Sequence, residues 1–376
     1  MDRRRVLIVG GGVAGLALAP MLARNGVAVK VIEREPAWPT AGTGIYLPGN
    51  AARALRVLGL EAQVAFRAVE IARQRFCDHR GRLLCEVDVA DLWADVGPCL
   101  ALHRADLHTL LREAAGEVPI RIGLAVDRIA QRDDIVSVEF NDRTSGDYDL
   151  VVGADGVHSA VRRLTLETTA ALPRPVGQVG WRFVAPRPAE VTTWSVMLGR
   201  RTAFLTIPID GDRVYCYCDV VSPPDHDTPE RVAAQRLGEL FVEFADPAAT
   251  LLAALDAAAD IHASVIEEVA LDRWAHDRVV LIGDAAHATS PNMAQGTAMA
   301  LEEALVLADC LLRIPAIPGA IAAFEARRRP RTEWVRAQTH RRDHTRYLPP
   351  AIRDNLLRFL GRRIFRANYR PLLDEP

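Results

Sequence analysis

Three short apolar runs, far apart in the chain, are each followed by a glycine-containing turn and then by a helical pattern. The runs occupy residues 6–9, 150–152 and 279–282. Continuous apolar runs of this length are typical of strands that are buried on both faces of a parallel sheet. The pattern therefore predicts an α/β fold in which strand, turn and helix follow one another.

The first turn has the spacing G-x-G-x-x-G at Gly10, Gly12 and Gly15, and a second predicted strand ends at Glu33. The first glycine permits a tight turn, the second lets the backbone approach a pyrophosphate, and the third lets helix and strand pack closely. The pyrophosphate lies at the helix N-terminus, and the acid accepts hydrogen bonds from a ribose. This arrangement predicts a dinucleotide site but does not distinguish FAD from NAD.

The second and third turns each carry an aspartate. Asp155 stands in the sequence Gly-Ala-Asp-Gly, where it either contacts a ligand or only caps the helix that follows. Asp284 follows Gly283 at the end of a predicted buried strand. An aspartate in that place can hydrogen-bond a polyol chain, and the backbone N–H groups of the next helix can face an electron-rich ring edge.

A different pattern separates these motifs. Short strand-like runs with turns between them predict an antiparallel sheet, inserted in the nucleotide-binding domain. The predicted strands are residues 69–76, 83–89, 179–184, 194–198, 203–207 and 214–221, with covering helices at 229–244 and 248–259. The predicted domains are a discontinuous nucleotide-binding domain at 1–68, 98–175 and 268–335, a second domain at 69–97 and 176–267, and a helical C-terminal segment at 336–376.

Together the motifs resemble those of group A flavoprotein monooxygenases, the aromatic hydroxylases related to p-hydroxybenzoate and salicylate hydroxylases. The resemblance covers roughly residues 5–335 and includes a segment with Arg104 and a loop at residues 42–45. It implies a Rossmann-like FAD-binding domain, with the inserted sheet covering the flavin ring and binding the substrate. By this resemblance the residues expected to contact FAD are Gly10, Gly12, Val13, Ala14, Gly15, Glu33, Arg34, Gly44, Ile45, Arg104, Asp155, Gly283, Asp284, Pro291, Gln295, Gly296 and Thr297.

Three positions near the third turn depart from the family pattern. Ala294 stands where many members have glycine, Ala298 where they have asparagine, and Glu303 where they have aspartate. We expect His287, inside the third turn, to support the FAD site structurally rather than to act as a base.

The inserted sheet supplies the candidates for substrate contact. Arg182 and Tyr217 are the residues expected to favour the phenolate form of a phenolic substrate. Arg73 and Arg75 share one face of a strand, and Tyr215 shares one face of another strand with Tyr217. From the sequence, each pair faces either the pocket or the outside.

The activity implied by the resemblance is NAD(P)H-dependent oxygenation. NAD(P)H would reduce the flavin, which takes up O2 as a C4a-hydroperoxide and transfers one oxygen atom to an aromatic, polycyclic or other electron-rich small molecule. Two alternatives remain open: an FAD-dependent dehydrogenase or reductase on the same fold, and a flavin-binding module without turnover. A halogenase of this fold is disfavoured because its W-x-W-x-I-P signature is absent.

Charge and composition disfavour several other classes of partner. The net charge of −2 gives no electrostatic reason to bind nucleic acid or an anionic membrane, and no apolar stretch is long enough to span a bilayer. The six cysteines lack metal-ligand spacing, so we expect reduced thiols, a cytoplasmic location and no metal site. We expect a monomer or a homodimer. The C-terminal segment is predicted to be a solvated helix that packs through Leu356, Leu357, Phe359 and Leu360.

Overall fold

The structure is a computed structural model that describes residues 4–38, 43–166, 172–221, 234–255 and 260–376. Its strands are β1 (Arg5–Val9), β2 (Ala28–Glu33), β3 (Gly44–Leu47), β4 (Val69–Glu70), β5 (Arg73–Asp78), β6 (Leu83–Asp88), β7 (Leu100–His103), β8 (Ile120–Ile122), β9 (Val126–Arg132), β10 (Ile135–Phe140), β11 (Ser145–Tyr148), β12 (Leu150–Gly153), β13 (Arg174–Pro186), β14 (Trp194–Leu198), β15 (Thr202–Pro208), β16 (Arg213–Val221), β17 (His262–Glu268), β18 (Ala275–His276) and β19 (Val279–Leu281). Its α-helices are α1 (Val13–Ala23), α2 (Gly49–Leu58), α3 (Glu61–Arg67), α4 (Val89–Trp93), α5 (Arg104–Ala115), α6 (Ala160–Thr165), α7 (Ala234–Leu240), α8 (Ala248–Ala253), α9 (Asp284–His287), α10 (Gly296–Arg313), α11 (Ile317–Thr345) and α12 (Pro350–Tyr369).

The three apolar runs of the sequence are neighbouring strands of one sheet. Its order is β18-β19-β12-β1-β2-β8, and all neighbours are parallel except β18 and β19. Helix α1 packs on this sheet and against α5 and α10. Leu7, Ile8 and Val151 have no exposed surface, as expected for strands covered on both faces. The predicted α/β fold with a Rossmann-like sheet is confirmed.

The predicted inserted sheet has seven strands in the order β17-β13-β16-β15-β14-β5-β6. All neighbours are antiparallel except β14 and β5. One face carries a cluster of buried rings, among them Phe183 and Phe204, that packs against Phe241 after α7. The other face forms the wall of a cavity described below. Two further sheets have three strands each, in the orders β11-β10-β9 and β3-β7-β4.

Several predicted elements differ in detail. The run at residues 69–76 is not one strand, because β4 pairs with β7 whereas β5 pairs with β14 and β6. Arg73 and Arg75 lie on the outer face, where both pair with Glu86. The helix predicted at 229–244 falls partly outside the described residues, and α7 is described only from residue 234. The domain boundaries stay a prediction.

The C-terminal segment differs most from expectation. It consists of the end of α11 and all of α12, and α12 does not pack through Phe359 or Leu360. Phe359 is 82% exposed and Leu360 is exposed as well, whereas Phe365 and Tyr369 are buried. The reason is the rotation of α12 about its axis, which places Gly361 against Cys85 on β6.

No helix among the described residues is long and apolar enough to cross a bilayer. The six cysteines are free thiols. Burial raises the pKa of the Cys99 thiol to about 12, and it raises the pKa of Cys216 further, so these groups stay protonated at neutral pH.

We predict that Gly361→Ala lowers the melting temperature, although alanine favours helix over glycine by about 1 kcal/mol. A Cβ at Gly361 would lie 2.8 Å from Cys85 Sγ, so overpacking of about 1–3 kcal/mol exceeds that gain. Gly238→Ala in α7 is the matched control, since a Cβ there meets nothing within 4 Å. Thermal unfolding followed by circular dichroism measures both variants. An equal or higher melting temperature for Gly361→Ala would contradict the close packing of α12.

Candidate cofactor and substrate site

The carboxyl ends of β1, β12 and β19 lie side by side, because Val9 is paired with Gly153 and Gly153 with Leu281. The three predicted turns therefore meet at one edge of the parallel sheet, the edge at which α/β folds bind ligands. They line one end of a cavity of about 820 Å³. The other end reaches the seven-stranded sheet and the C-terminal helices.

The glycines of the first turn have separate physical roles. Gly10 has φ +114°, and a Cβ there would collide with the carbonyl oxygen of Ala154 in the second turn. A Cβ at Gly15 would collide with the carbonyl oxygen of Gly10, so this glycine lets α1 approach β1. Gly12 differs, because a Cβ there would meet nothing within 4 Å. It faces the cavity at the start of α1, where a ligand would approach the backbone.

Glu33 binds the first turn itself. Its carboxylate accepts hydrogen bonds from the backbone N–H groups of Gly11, at 2.8 Å, and Glu35, at 3.0 Å. A carboxylate has further lone pairs, so these bonds leave capacity for a ribose hydroxyl. His108 on α5, which the sequence analysis did not identify, contacts the carbonyl oxygen of Gly11 at 2.8 Å. The turn is therefore fixed from both sides. Arg34 is exposed and pairs with Glu35.

The second turn is tied to the third. Asp155 Oδ2 accepts the backbone N–H groups of Ala160 and Val161, so the capping alternative describes this oxygen. Asp155 Oδ1 is buried, and no hydrogen-bond partner for it lies among the described residues. Arg162, fully buried, donates to the carbonyl oxygen of Ala285 at 2.8 Å. This bond fixes the distance between the two turns.

The third turn is held by a buried carboxylate. Gly283 has φ +62°, and its N–H donates to Glu303 Oε2 at 2.7 Å. The other oxygen of Glu303 lies 2.6 Å from His287 Nε2, and Arg328 is within 4.0 Å. Asp284 remains exposed to the cavity, where it can accept hydrogen bonds from a polyol. The supporting role expected for His287 agrees with these contacts.

His287 and Glu303 form a charged pair in the protein interior. Burial by itself would lower the pKa of His287, but the neighbouring Glu303 carboxylate raises it above its ordinary value. Burial by itself would raise the pKa of Glu303, but His287 and Arg328 hold that pKa below its ordinary value. Both groups are therefore charged at pH values near 6.

The segment after Pro291 contains Ala294, one of the three departures from the family pattern. Ala294 has φ +49°, a left-handed conformation that costs a non-glycine residue about 1–2 kcal/mol and explains why glycine is usual there. The Gln295 side chain is buried and accepts a hydrogen bond from Asn50 at 3.0 Å, so it points away from the cavity. Asn50 in turn donates to Glu302, and no motif in the sequence indicated this link.

The predicted FAD contacts thus separate into two groups. The residues that line the cavity are Gly12, Val13, Ala14, Gly44, Ile45, Arg104, Gly283, Asp284, Pro291, Gly296 and Thr297. Those that do not line it are Gly10, Gly15, Glu33, Arg34, Asp155 and Gln295. Residue 42 of the predicted loop lies outside the described residues.

The inserted sheet carries Arg182 and Tyr217 to the cavity wall. The Arg182 guanidinium lies 5.2 Å from the centre of the Tyr217 ring and donates to Ser264 at 2.9 Å. Tyr215 lines the same wall, and a Cβ at Gly44 would collide with it, which explains the glycine in that loop. Burial, and then the nearby Asp219, raises the pKa of Tyr217 well above its ordinary value.

The C-terminal helices complete the cavity, a role that no pattern in the sequence indicated. Arg346 follows α11, lines the cavity and forms a buried ion pair with Asp219. Arg342 on α11 lines it too and donates to the carbonyl oxygen of Asn292 at 2.8 Å. Tyr369 on α12 donates to the carbonyl oxygen of Met293 at 3.0 Å. The sequence predicted a solvated helix here because the segment is rich in arginine. The contacts that draw these arginines into the cavity wall come from parts of the chain that are distant in sequence.

The donor set fits FAD. A dinucleotide needs an open backbone at a helix start, and Gly12 at the start of α1 provides it. A ribityl chain needs an acceptor that projects into the cavity, and Asp284 is exposed there. Gly12, Asp284 and residues of the inserted sheet all line one cavity, so no described part of the chain separates the expected cofactor contacts from that sheet.

We predict that His287→Asn destabilises the protein most at pH 6. Below about pH 6.5 His287 contributes its full stabilisation, which is lost as pH rises through its raised pKa. Breaking a buried pair costs about 3 kcal/mol or more. The melting temperature of His287→Asn should therefore lie far below that of the wild type at pH 6, and the difference should be smaller at pH 9. His340→Asn is the control, because His340 pairs with Glu268 at a half-exposed site. If the difference in melting temperature increased with pH, His287 and Glu303 would not form a charged pair.

The sequence and fold both match known proteins. Residues 3–339 match the family described as FAD binding domain. The chain is 35% identical over 338 residues to a 2-heptyl-3-hydroxy-4(1H)-quinolone synthase of Pseudomonas aeruginosa, covering 89% of this chain and 87% of that protein. It is 33% identical over 359 residues to a 3-amino-4-hydroxybenzoate 2-monooxygenase of Streptomyces cremeus, covering 92% and 88%.

A solved structure agrees over the whole chain. The structure of Klebsiella pneumoniae HpxO complexed with FAD and uric acid superposes with a TM-score of 0.91 at 25% identity, covering 99% of this chain and 97% of that one. The motifs, the cavity and these matches agree. The chain belongs to the FAD-binding family of group A flavoprotein monooxygenases, and it is an FAD-dependent monooxygenase.

Proposed function

We propose that this enzyme uses NAD(P)H and O2 to insert one oxygen atom into an aromatic or other electron-rich small molecule. The observation that carries the proposal is the single cavity that joins the three nucleotide turns to the inserted sheet. A substrate on that sheet would face the cofactor without an intervening wall. Bound FAD would supply the oxygen chemistry, and the residues of the chain would hold the cofactor and the substrate.

The residues of the chain position the cofactor. The backbone at Gly12 to Ala14 and the start of α1 would bind the pyrophosphate, with Glu33 at the adenosine ribose. Asp284 would accept hydrogen bonds from the ribityl chain, and Arg104, which also lines the cavity, would contact the cofactor. Gly10 and Gly15 contribute by permitting the close approach of the turns rather than by contact.

Two residues would orient the substrate. The raised pKa of Tyr217 keeps its hydroxyl protonated through neutral and mildly alkaline pH, so it can donate a hydrogen bond to a phenolate or carbonyl oxygen. That hydroxyl has no hydrogen-bond partner among the described residues. Arg182 places a positive charge beside it, which favours a substrate oxygen that carries negative charge.

The named relatives favour an aromatic substrate. One is named for a 4(1H)-quinolone and another for an aminohydroxybenzoate. Both names denote oxygenated rings that carry a nitrogen or an amino group, which is compatible with a polycyclic or monocyclic substrate here. A dehydrogenase or a flavin-binding module is less well supported, since the relatives that match most of the chain include named monooxygenases.

Anaerobic reduction of the flavin tests the proposed function. Purified protein is mixed with NADH or NADPH, with and without phenolic acids, quinolones and indoles, and the visible flavin spectrum is followed. We expect one nicotinamide to bleach the flavin faster in the presence of a substrate, and readmitted O2 to yield an oxygenated product. If the flavin bleaches but no oxygenated product forms, the result would support a dehydrogenase. If flavin is bound but neither NADH nor NADPH bleaches it, the result would support a flavin-binding module.

The assignment of Gly12 is tested by comparison with Gly15. Gly12→Ala adds a methyl group to open space, so the melting temperature of the apoprotein should stay unchanged while FAD affinity falls about tenfold or more. Gly15→Ala should lower the apoprotein melting temperature as well, because its Cβ collides with the backbone. Titration of the apoprotein with FAD, monitored by flavin fluorescence, measures the affinity. Unchanged affinity in Gly12→Ala would remove this glycine from the site.

We predict that Tyr217→Phe lowers kcat/KM by about tenfold or more for an oxygenated aromatic substrate, because a buried hydrogen bond to the substrate is lost. FAD content should not change. Tyr347→Phe is the control, since Tyr347 is half exposed on the surface. Steady-state NAD(P)H oxidation corrected for uncoupled turnover measures the effect. Equal values for both variants would exclude a role of the Tyr217 hydroxyl.

A further inference from the structure

The cavity face of the seven-stranded sheet changes from polar to apolar across the strands. At one side, β17, β13 and β16 present His262, Arg182, Tyr217 and Asp219. Strands in a sheet are about 4.8 Å apart, so β14 lies about 10 Å from β16, beyond β15. The cavity therefore has a polar end and an apolar end on one continuous wall.

The apolar end consists mainly of apolar side chains from three neighbouring strands, with the buried Gln74 on β5 as a polar exception. Leu205 on β15, Val196 and Leu198 on β14, and Phe76 on β5 all line the cavity and are half-buried. Met197 and Phe204, which point to the opposite face of the same strands, are almost fully buried. The cavity face of the sheet thus has apolar surface that no other part of the described chain covers. An apolar ligand of matching shape would bind there, because binding removes that surface from water.

Helix α12 forms the opposite wall of the apolar end. Leu356 and Leu357 line the cavity and are half-buried, and Ile364 lines it while remaining 37% exposed. Ile364 therefore lies at the rim, where the cavity reaches the surface. These apolar side chains lie between Arg353 and Asn368 of the same helix, which also line the cavity.

The gap between α12 and the sheet is fixed at two places. Arg353, near the start of α12, donates to the carbonyl oxygens of Leu198, at 3.1 Å, and Gly199, at 2.5 Å. Eight residues further along the same helix, Gly361 packs against Cys85 on β6. Helix α12 cannot close onto the sheet without breaking these contacts, so the apolar space persists.

We infer that the substrate is an aromatic molecule with a long apolar substituent, an alkyl or isoprenoid chain. The inference rests on the proposed function, because the oxygenated ring would lie at the polar strands beside the cofactor turns. The chain would extend past Leu205 and Val196 and under Leu357 toward Ile364. The apolar end therefore selects substrates by chain length, while Arg182 and Tyr217 select the ring.

Binding of 4-alkylphenols, from methyl to nonyl, to the oxidised FAD-loaded enzyme tests this inference without turnover. The dissociation constant is read from the change in the visible flavin spectrum. We expect affinity to rise about threefold for each added methylene until the apolar end is filled. Leu357→Trp should weaken nonylphenol binding at least about tenfold, the effect of about two methylenes, and leave 4-methylphenol unchanged. Phe359→Trp, on the outer face of the same helix, is the matched control.

Leu357→Ala provides a second test in case the tryptophan variant does not retain FAD. It enlarges the apolar end, so the longest phenols should keep gaining affinity beyond the length at which the wild type levels off. The inference would be overturned if affinity did not depend on chain length, or if no phenol bound at all. It would also be overturned if the wild type and Leu357→Trp bound nonylphenol equally well. Failure of the proposed function would instead show as normal binding with no oxygenated product.

Discussion

The buried carboxylate of Glu303 is the interaction on which the cofactor site depends. A carboxylate without water is costly unless hydrogen-bond donors and positive charge surround it. Here the donors are the Gly283 N–H and His287, with Arg328 nearby. The donors belong to the third turn, the carboxylate to α10 and the arginine to α11. The turn that presents Asp284 cannot move without leaving a buried charge unpaired, so the cavity keeps its shape before a ligand arrives.

Its neighbour Glu302 extends this network to the end of the chain. The Glu302 carboxylate is fully buried and contacts Arg328 at 2.9 Å and Arg331 at 2.8 Å. Arg331 also donates to the carbonyl oxygens of Pro371 and Leu372, which follow α12. The same charged cluster that holds the third turn thus also holds the end of α12, whose side chains line the other end of the cavity. The third turn and the segment after α12 are therefore structurally linked through two adjacent glutamates.

The two ends of the cavity divide the chemical task. The turns at the edge of the parallel sheet have little side-chain variety, because glycine and backbone N–H groups are what a pyrophosphate needs. The inserted sheet has alternating side chains on an open face, so each strand can add a polar or an apolar residue without disturbing the fold. Arg182 and Tyr217 occupy the polar strands, and Val196 and Leu205 occupy the apolar ones. A common cofactor site can therefore serve different substrates.

The sequence by itself determined the parallel sheet, the order of the three turns and most strands of the inserted sheet, because these depend on local apolar runs and glycine spacing. It also indicated Gly12 and Asp284, and the structure places both in the cavity lining, just after strands of the parallel sheet. Only the tertiary structure decided that Gln295 points to Asn50, that Phe359 is exposed and that Arg346 lies in the cavity wall. A helix of alternating arginines and apolar residues has several faces that could be buried. Which face is buried depends on contacts such as Gly361 on Cys85, which are distant in sequence and leave no local signal.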